Sequence, residues 1–361
     1  MEKDFISSRH CRFCGWFVVD IAVCLAVLFL SFSSCSREDI ENKISNAPTA
    51  EVCILFYPNE LGDQGYADRI LTGMHLFDMQ LSDDEFDRVQ LRYISVCDTN
   101  ELLNELHHWN EQGISPYTRR AYDRRLLVLT DISLLPYLSQ TPLANSDEVL
   151  VMNVADRYFD QIPKADQLGD RLHLLNISAA DAALKLCRHI DYETSHPEGP
   201  YGQRQPVIWF FQGHEEEEFM ADSVAVVLQD YFSEKSRISY FNSNMLDPNE
   251  EGYIAAYSLG SVVNMAPPSL CSYAICNWGR NNAGFFAFFH IWGSGTAEAI
   301  FLDTQIANSA DYFPTIIRHY DQALCQWLKR WLEVPAATMP HKEWHGAWDG
   351  YVTDNIKTYD E

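Results

Sequence analysis

Glu51-Val52-Cys53-Ile54-Leu55-Phe56-Tyr57 runs into Pro58-Asn59-Glu60-Leu61-Gly62-Asp63-Gln64-Gly65-Tyr66. The first stretch is apolar at nearly every position rather than at every second one. A strand with water on one face alternates, whereas a strand covered on both faces does not. The second stretch carries Pro, Asn and Gly, the residues of a turn. Residues 64–81 then place Ile70, Met74, Phe77 and Met79 at helical spacing. Buried strand, turn and amphipathic helix together form the unit from which parallel sheets are built.

The same unit recurs on both sides of the chain's middle. Strands are predicted over 89–96, 125–130, 148–153 and 171–177. Helices are predicted over 100–109, 131–138 and 178–190, the last with Ser178 as N-cap and Asp181 three residues on. A Gly/Pro/His-rich loop occupies 196–206. The rhythm then restarts with strands over 207–211, 238–242, 272–277 and 299–303. Helices are predicted over 215–232, 251–259, 282–292 and 314–332, and the tail is rich in Trp and Gly. No repeat is visible residue by residue. The expectation is an α/β protein of two doubly wound parallel-sheet lobes joined by a hinge. The first lobe spans 50–178 and the second 179–300. Residues 301–361 supply a hinge-crossing segment, a long helix and the tail.

The beginning of the chain is different in kind. Lys3, Arg9 and Arg12 precede an apolar run from Trp16 to Phe32, and small residues lead into Cys35. This is the pattern of an export signal. An uncleaved anchor helix is the other reading of the run, which is short for a membrane span of about 20 residues. Both readings place the remainder outside the cytoplasm. Phe32-Ser33-Ser34-Cys35 resembles a bacterial lipobox with Phe where Leu or Val is usual. Residues 1–34 are therefore expected to be a lipoprotein signal peptide and Cys35 the lipidated residue, with 35–49 a flexible tether. Ser36-Arg37-Glu38-Asp39 resembles the surface-export signal of Bacteroidetes lipoproteins, which leaves periplasm and cell surface both open.

The net charge is −25, and the first 34 residues contribute none of it. A body this acidic argues against nucleic acid as a partner, because phosphates require a basic surface. Six of the ten cysteines lie beyond Cys35. Several sit within apolar runs, where a free thiol acts as a small hydrophobe. Cys271 and Cys276 are the one sequence-near pair that a disulfide could join.

Ligands of open α/β sheets bind at the carboxyl ends of the strands, so the residues just after each strand are the candidates. Asp63 and Tyr66 follow the first strand. They read either as an N-cap carboxylate with a core aromatic, or as a polar acceptor beside a stacking platform. Asn153 ends the fourth strand. Asn277, Asn281 and Asn282 follow the strand over 272–277, where amides and a Gly-bearing turn can bind polar groups or simply cap a helix. Asp303 ends the strand over 299–303, and its carboxylate is suited to accept from sugar hydroxyls.

With these residues in place the chain resembles type I periplasmic binding proteins, closest to the basic membrane protein family of nucleoside-binding lipoproteins. Gly62-Asp63-Gln64-Gly65-Tyr66 is similar to that family's Asp-x-x-Phe helix opening, with Tyr for Phe. Gly279–Gly284 is similar to its Gly/Asn-rich turn, and Asp303-Thr304-Gln305 to its late strand end. Thr315–Ala323 stands where the family has Ser-x-x-Lys before a helix. The resemblance implies that Tyr66 stacks on a base and Asp63 meets its polar edge. It further implies that Asp303 holds ribose hydroxyls and Arg318 takes the place of a lysine. The family's acidic pair is reduced here to Asp63, and its Asn after the aromatic is missing.

Rival chemistries are weaker. His214 is followed by four glutamates, but zinc spacing of the HExxH type needs a second His at position 218, which is Glu218. His341, Glu343 and His345 could ligate a metal but sit among Trp and Gly. A thiol hydrolase using Cys276 is the enzymatic alternative, and a surface interaction lipoprotein the non-enzymatic one. The expected function is a lipid-anchored solute-binding protein. It would need no cofactor and perform no catalysis, it would close on a small polar ligand that is nucleoside-like or sugar-like, and its further partner would be a permease.

Overall fold

The computed structural model describes residues 49–359 except 59–60, 63–64, 87, 110–112, 115–120, 131, 154–161, 213–222, 233–236, 243–251, 266, 268, 278–280, 293–296, 304–312, 336–337 and 346–348. Cys35, Asp63 and the His214–Glu218 run lie outside the described residues. Among the described residues no helix is long and apolar enough to cross a membrane.

Among the described residues twelve strands form two six-stranded sheets. β1 (Ala50–Leu55), β2 (Val89–Ile94), β3 (Arg124–Leu129), β4 (Asp147–Met152) and β5 (Leu172–Ile177) belong to the first, with β11 (Lys342–His345). β6 (Gln205–Gln212), β7 (Arg237–Asn242), β8 (Leu270–Asn277), β9 (Ala297–Leu302) and β10 (Thr315–Arg318) belong to the second, with β12 (Val352–Asp354). The orders are β11-β5-β4-β3-β1-β2 and β12-β10-β9-β8-β6-β7, the same arrangement twice. Among the described residues these strands pair in parallel, except β10 with β12. A repeat invisible in the residues is thus plain in the topology.

The apolar runs do what their lack of alternation predicts. Val52, Ile54, Leu126, Val128 and Leu150 face one hydrophobic cluster. Cys53, Leu55, Leu127, Leu129 and Val149, their immediate neighbours, face another. Successive side chains point to opposite faces, so layers on both sides bury every position. Each such fully buried aliphatic contributes roughly 1.5–3 kcal/mol. The first of these clusters continues into the second sheet through Ile208, Tyr273, Ile275 and Ile300.

The layers are helical. α1 (Tyr66–Asp78) and α2 (Thr99–His107) serve the first sheet. α3 (Ala180–Ser195), α4 (Ser223–Phe232), α5 (Gly252–Asn264) and α6 (Asn282–Trp292) serve the second. α7 (Tyr320–Glu333) packs on α1. The chain crosses between the lobes three times: from β5 into α3, from β10 into α7, and from β11 into β12.

Three expectations are corrected. Residues 314–332 are not one helix: Thr315–Arg318 form β10, pairing Thr315 with Phe301 and Ile316 with Leu302. The β-branched run Thr315-Ile316-Ile317 favours the strand, and sheet pairing overrides the helical spacing that begins at Ile316. The Ser178 Oγ accepts from the Ala180 N–H at 3.4 Å, but the N-cap of α3 is Ala179, which has no side-chain cap bond. Its N–H donates instead to Ser223 Oγ at 2.9 Å. The segment expected as a short helix over 131–138 resolves into a 3-10 turn, Ile132–Leu134, and a single turn, Leu135–Leu138.

Candidate ligand-binding site

The two sheets meet where β4 and β9, which hold equivalent places in them, end in Asn153 and Asp303. Both residues lie in the left-handed region, with φ of 57° and 51°. Asn and Asp enter that region more readily than other non-glycine residues. Each strand therefore stops in a sharp turn that presents a short polar side chain.

Arg318 grips Asp303. Its backbone N–H donates to Oδ1 at 2.9 Å and its Nε to Oδ2 at 2.8 Å, and its Nη2 also reaches Oδ2. Both groups are almost fully buried, where a charge is stable only when paired and hydrogen-bonded. From the same guanidinium Nη1 reaches Asn153 Oδ1 at 3.5 Å. The second sheet thereby touches a strand end of the first. Arg69 on α1 donates to the Asp303 carbonyl, Nε to O at 3.4 Å. Burial lowers the Arg69 pKa, offset in part by Asp303 and Asp321.

Aromatic residues close the network. Tyr320, first residue of α7, donates to Asn153 Oδ1 at 2.8 Å. Its ring meets Tyr66 edge-on, centroids 4.9 Å apart. The Tyr66 hydroxyl donates to the carbonyl of Thr130, just past β3. Tyr66, Asn153, Asp303 and Arg318, named from sequence, are thus brought together. Arg69, Tyr320 and Asn176, whose side-chain amide lies 3.1 Å from the Tyr320 hydroxyl, belong to the same network and were not named as site residues. Asn277 ends β8, the neighbour of β9, while Asn281 and Asn282 are buried at the start of α6. They stand at the same carboxyl edge of the second sheet.

The network holds an ion pair, amides and phenols, groups that bind and orient. Cys276 takes no part in it. It is fully buried, and burial pushes its thiol well above the ordinary range. A thiol held protonated and away from solvent is inert as a nucleophile, so the hydrolase alternative loses its residue. The six described cysteines are all free, Cys271 and Cys276 among them. His341 lies 3.3 Å from Asp170, and Glu343 pairs with Arg330, so the tail's His and Glu are engaged separately.

Two lobes of the same strand order, crossed three times, define the type I periplasmic-binding-protein fold. No family profile matches the chain, and no curated protein matches it in sequence. Solved structures match it in fold. One is an ABC transporter solute-binding protein from Aeropyrum pernix K1, 13% identical, covering 85% of this chain and 76% of that one, with a TM-score of 0.60. Another is GanP, a glucose-galactose binding protein from Geobacillus stearothermophilus, 12% identical, covering 86% and 97%, with a TM-score of 0.56. A LacI transcriptional regulator from Lactobacillus brevis is 10% identical, covering 85% and 100%, with a TM-score of 0.55. Transport proteins and regulators share the fold, so the fold alone does not assign a role.

Proposed function

We propose that this chain is an extracytoplasmic solute-binding protein whose lobes close on a small polar ligand without transforming it. The observation that carries the reading is the Tyr66–Asn153–Asp303–Arg318 network, built at the carboxyl ends of strands from both sheets. Ligands of α/β sheets bind at that edge, and hinge closure between lobes is the motion the crossings support. A ligand rich in hydroxyls matches paired carboxylate, guanidinium and amide groups. The sugar named for GanP favours the same class. Tyr66 as a ring platform keeps nucleosides in view, as the resemblance to basic membrane proteins implies. Asp63, Asn277, Asn281 and Asn282 are the further ligand contacts in this proposal. A regulator acting on DNA is disfavoured by the net charge of −25.

The first 49 residues complete the proposal: a signal cut before Cys35, lipid on that cysteine, and a tether that keeps the cleft near a membrane and a permease. A thermal-shift and calorimetric screen of sugars and nucleosides tests the binding. One class is expected to raise the midpoint of the wild type, with a weaker response in Asn153→Ala. No response to any compound, in a protein whose fold is verified, removes the reading. Palmitate labelling of wild type against Cys35→Ala tests the tether separately.

A further inference from the structure

Away from the cleft, α3 carries His189 and Glu193 four residues apart, hence on one face of the helix. That face looks onto Glu298 near the start of β9. His189 Nε2 lies 3.5 Å from Glu193 Oε1 and 3.7 Å from Glu298 Oε2. One donor atom from each of the three residues falls within 4.8 Å of the others. His189 is 2% exposed. Yet neither of its ring nitrogens makes a hydrogen bond among the described residues.

An imidazolium between two carboxylates would draw them to roughly 2.7–2.9 Å. The observed spacing is longer on both sides. It is close to the separation of donors around a tetrahedral ion, about 3.4 Å for metal–ligand bonds of about 2.1 Å. We propose that His189, Glu193 and Glu298 form a binding site for one divalent transition-metal ion of the zinc type. Imidazole nitrogen with only two carboxylates suits such an ion better than calcium or magnesium, which require more oxygen ligands. Glu298 is partly exposed, which gives an access route and leaves a fourth position to solvent.

The surroundings support the arrangement. Tyr273 donates to Glu193 Oε2 at 3.1 Å and Tyr359 to Glu193 Oε1 at 3.2 Å, fixing the carboxylate as outer partners fix metal ligands. The Tyr359 ring stacks on His189, interplanar angle 12°. Glu193 and Glu298 set two carboxylates, which repel one another when ionised, beside the one imidazole. A dication removes the repulsion and makes the three-residue set neutral. The ion ties together α3, which makes the first crossing, the β9 strand and the end of the chain.

The test uses the full-length protein, stripped with chelator and titrated with Zn2+ by calorimetry and with Co2+ by visible absorption. One saturable site is expected, with a cobalt band of four-coordinate intensity and a rise in the thermal midpoint. Glu298→Gln and His189→Asn are expected to lose that site, and Tyr359→Phe to weaken it about tenfold. Glu298 is partly exposed, so its variant remains informative if the His189 variant does not fold. No saturable binding in the wild type, or binding unchanged in a folded Glu298→Gln, overturns the proposal.

Discussion

The Tyr320 hydroxyl, carried by the helix that leaves the second sheet, donates at 2.8 Å to Asn153 Oδ1 at the end of a strand of the first. The same hydroxyl lies 3.1 Å from Asn176 Oδ1 and accepts from the Ile177 N–H at 3.2 Å. One hydroxyl has one proton and cannot donate to both amides. Asn153 Oδ1 also faces Arg318 Nη1, so its oxygen belongs there. Asn176 must therefore turn its NH2 group towards the hydroxyl, an assignment made from the network itself. The hydroxyl then donates once and accepts twice. Tyr320→Phe leaves an amide and a backbone N–H unpaired in a buried place. It is expected to cost about 1–3 kcal/mol in urea denaturation; an unchanged midpoint would show that the hydroxyl holds nothing.

At the opposite edge of the first sheet Arg125 binds two acids. Its Nε donates to Glu51 at 2.8 Å and its Nη1 to Asp147 at 3.3 Å. Nη2 caps the Trp109 carbonyl at 2.6 Å, and the guanidinium lies 3.9 Å from the Trp109 ring centroid. Removing one member of a buried ionic set leaves uncompensated charge and costs about 3–5 kcal/mol. Arg125→Met keeps the apolar bulk but takes the cation from Asp147 and leaves Glu51 with Arg92 alone, at 2.8 Å. Its denaturation midpoint is expected to fall accordingly, with the slope against denaturant unchanged.

Glu148 gives the fold an acid limit. Burial would raise its carboxyl, but the hydrogen bond with His173, the hydrogen bonds from Arg124 and the charge of Arg124 outweigh burial and hold it below the ordinary 4.5. A carboxylate whose folded pKa is depressed adds stability above its unfolded pKa. That stability is lost as pH falls through the folded value. Thermal midpoints are therefore expected to decline as pH is lowered below about 4.5. Glu148→Gln should make that decline shallower, and an equally steep decline in the variant would place the acid sensitivity elsewhere.

What was legible in the sequence follows from these packing relations. Val52–Leu55 and Leu126–Leu129 announced a sheet covered on both faces because no position in them meets water. β10 was hidden because four residues are too few to outweigh the helical spacing that continues into α7. β11 and β12 are edge strands of polar sequence, and polar edges carry no apolar period. In the site, Asn153 and Asp303 were found because a strand end is readable and because Asx residues tolerate the left-handed turn they occupy. Arg69, Asn176 and Tyr320 lie within elements instead. Their facing depends on where the chain crosses between lobes, which local spacing does not encode.

The cysteines separate by exposure. Burial raises Cys53, Cys187 and Cys271 to about 12 and holds Cys276 well above the ordinary thiol range, whereas Cys97 is exposed. The thiolate is the reactive form. Native alkylation followed by peptide mass spectrometry is expected to modify Cys97 first among these five, with the other four reacting only after denaturation. Rapid native labelling of Cys276 would restore it as a candidate nucleophile.

Gly73 sits where α1 meets α7, and a Cβ there would lie 2.7 Å from the Asp321 carbonyl oxygen and 2.9 Å from its Cα. Both atoms are backbone, so no side-chain rotation relieves the clash. Only separation of the two helices does. In an isolated helix Ala is favoured over Gly by about 0.8–1 kcal/mol, so propensity alone predicts that Gly73→Ala stabilises. Overpacking a close contact costs about 1–3 kcal/mol, and here the intrusion is deep. The variant is therefore expected to be less stable. Because Asp321 follows Tyr320, a shift of α7 also pulls the hydroxyl from Asn153. Gly73→Ala combined with Tyr320→Phe should then destabilise by less than the sum of the two single changes. Full additivity would mean that the helix contact and the lobe contact are independent, and that α7 does not carry strain from one to the other.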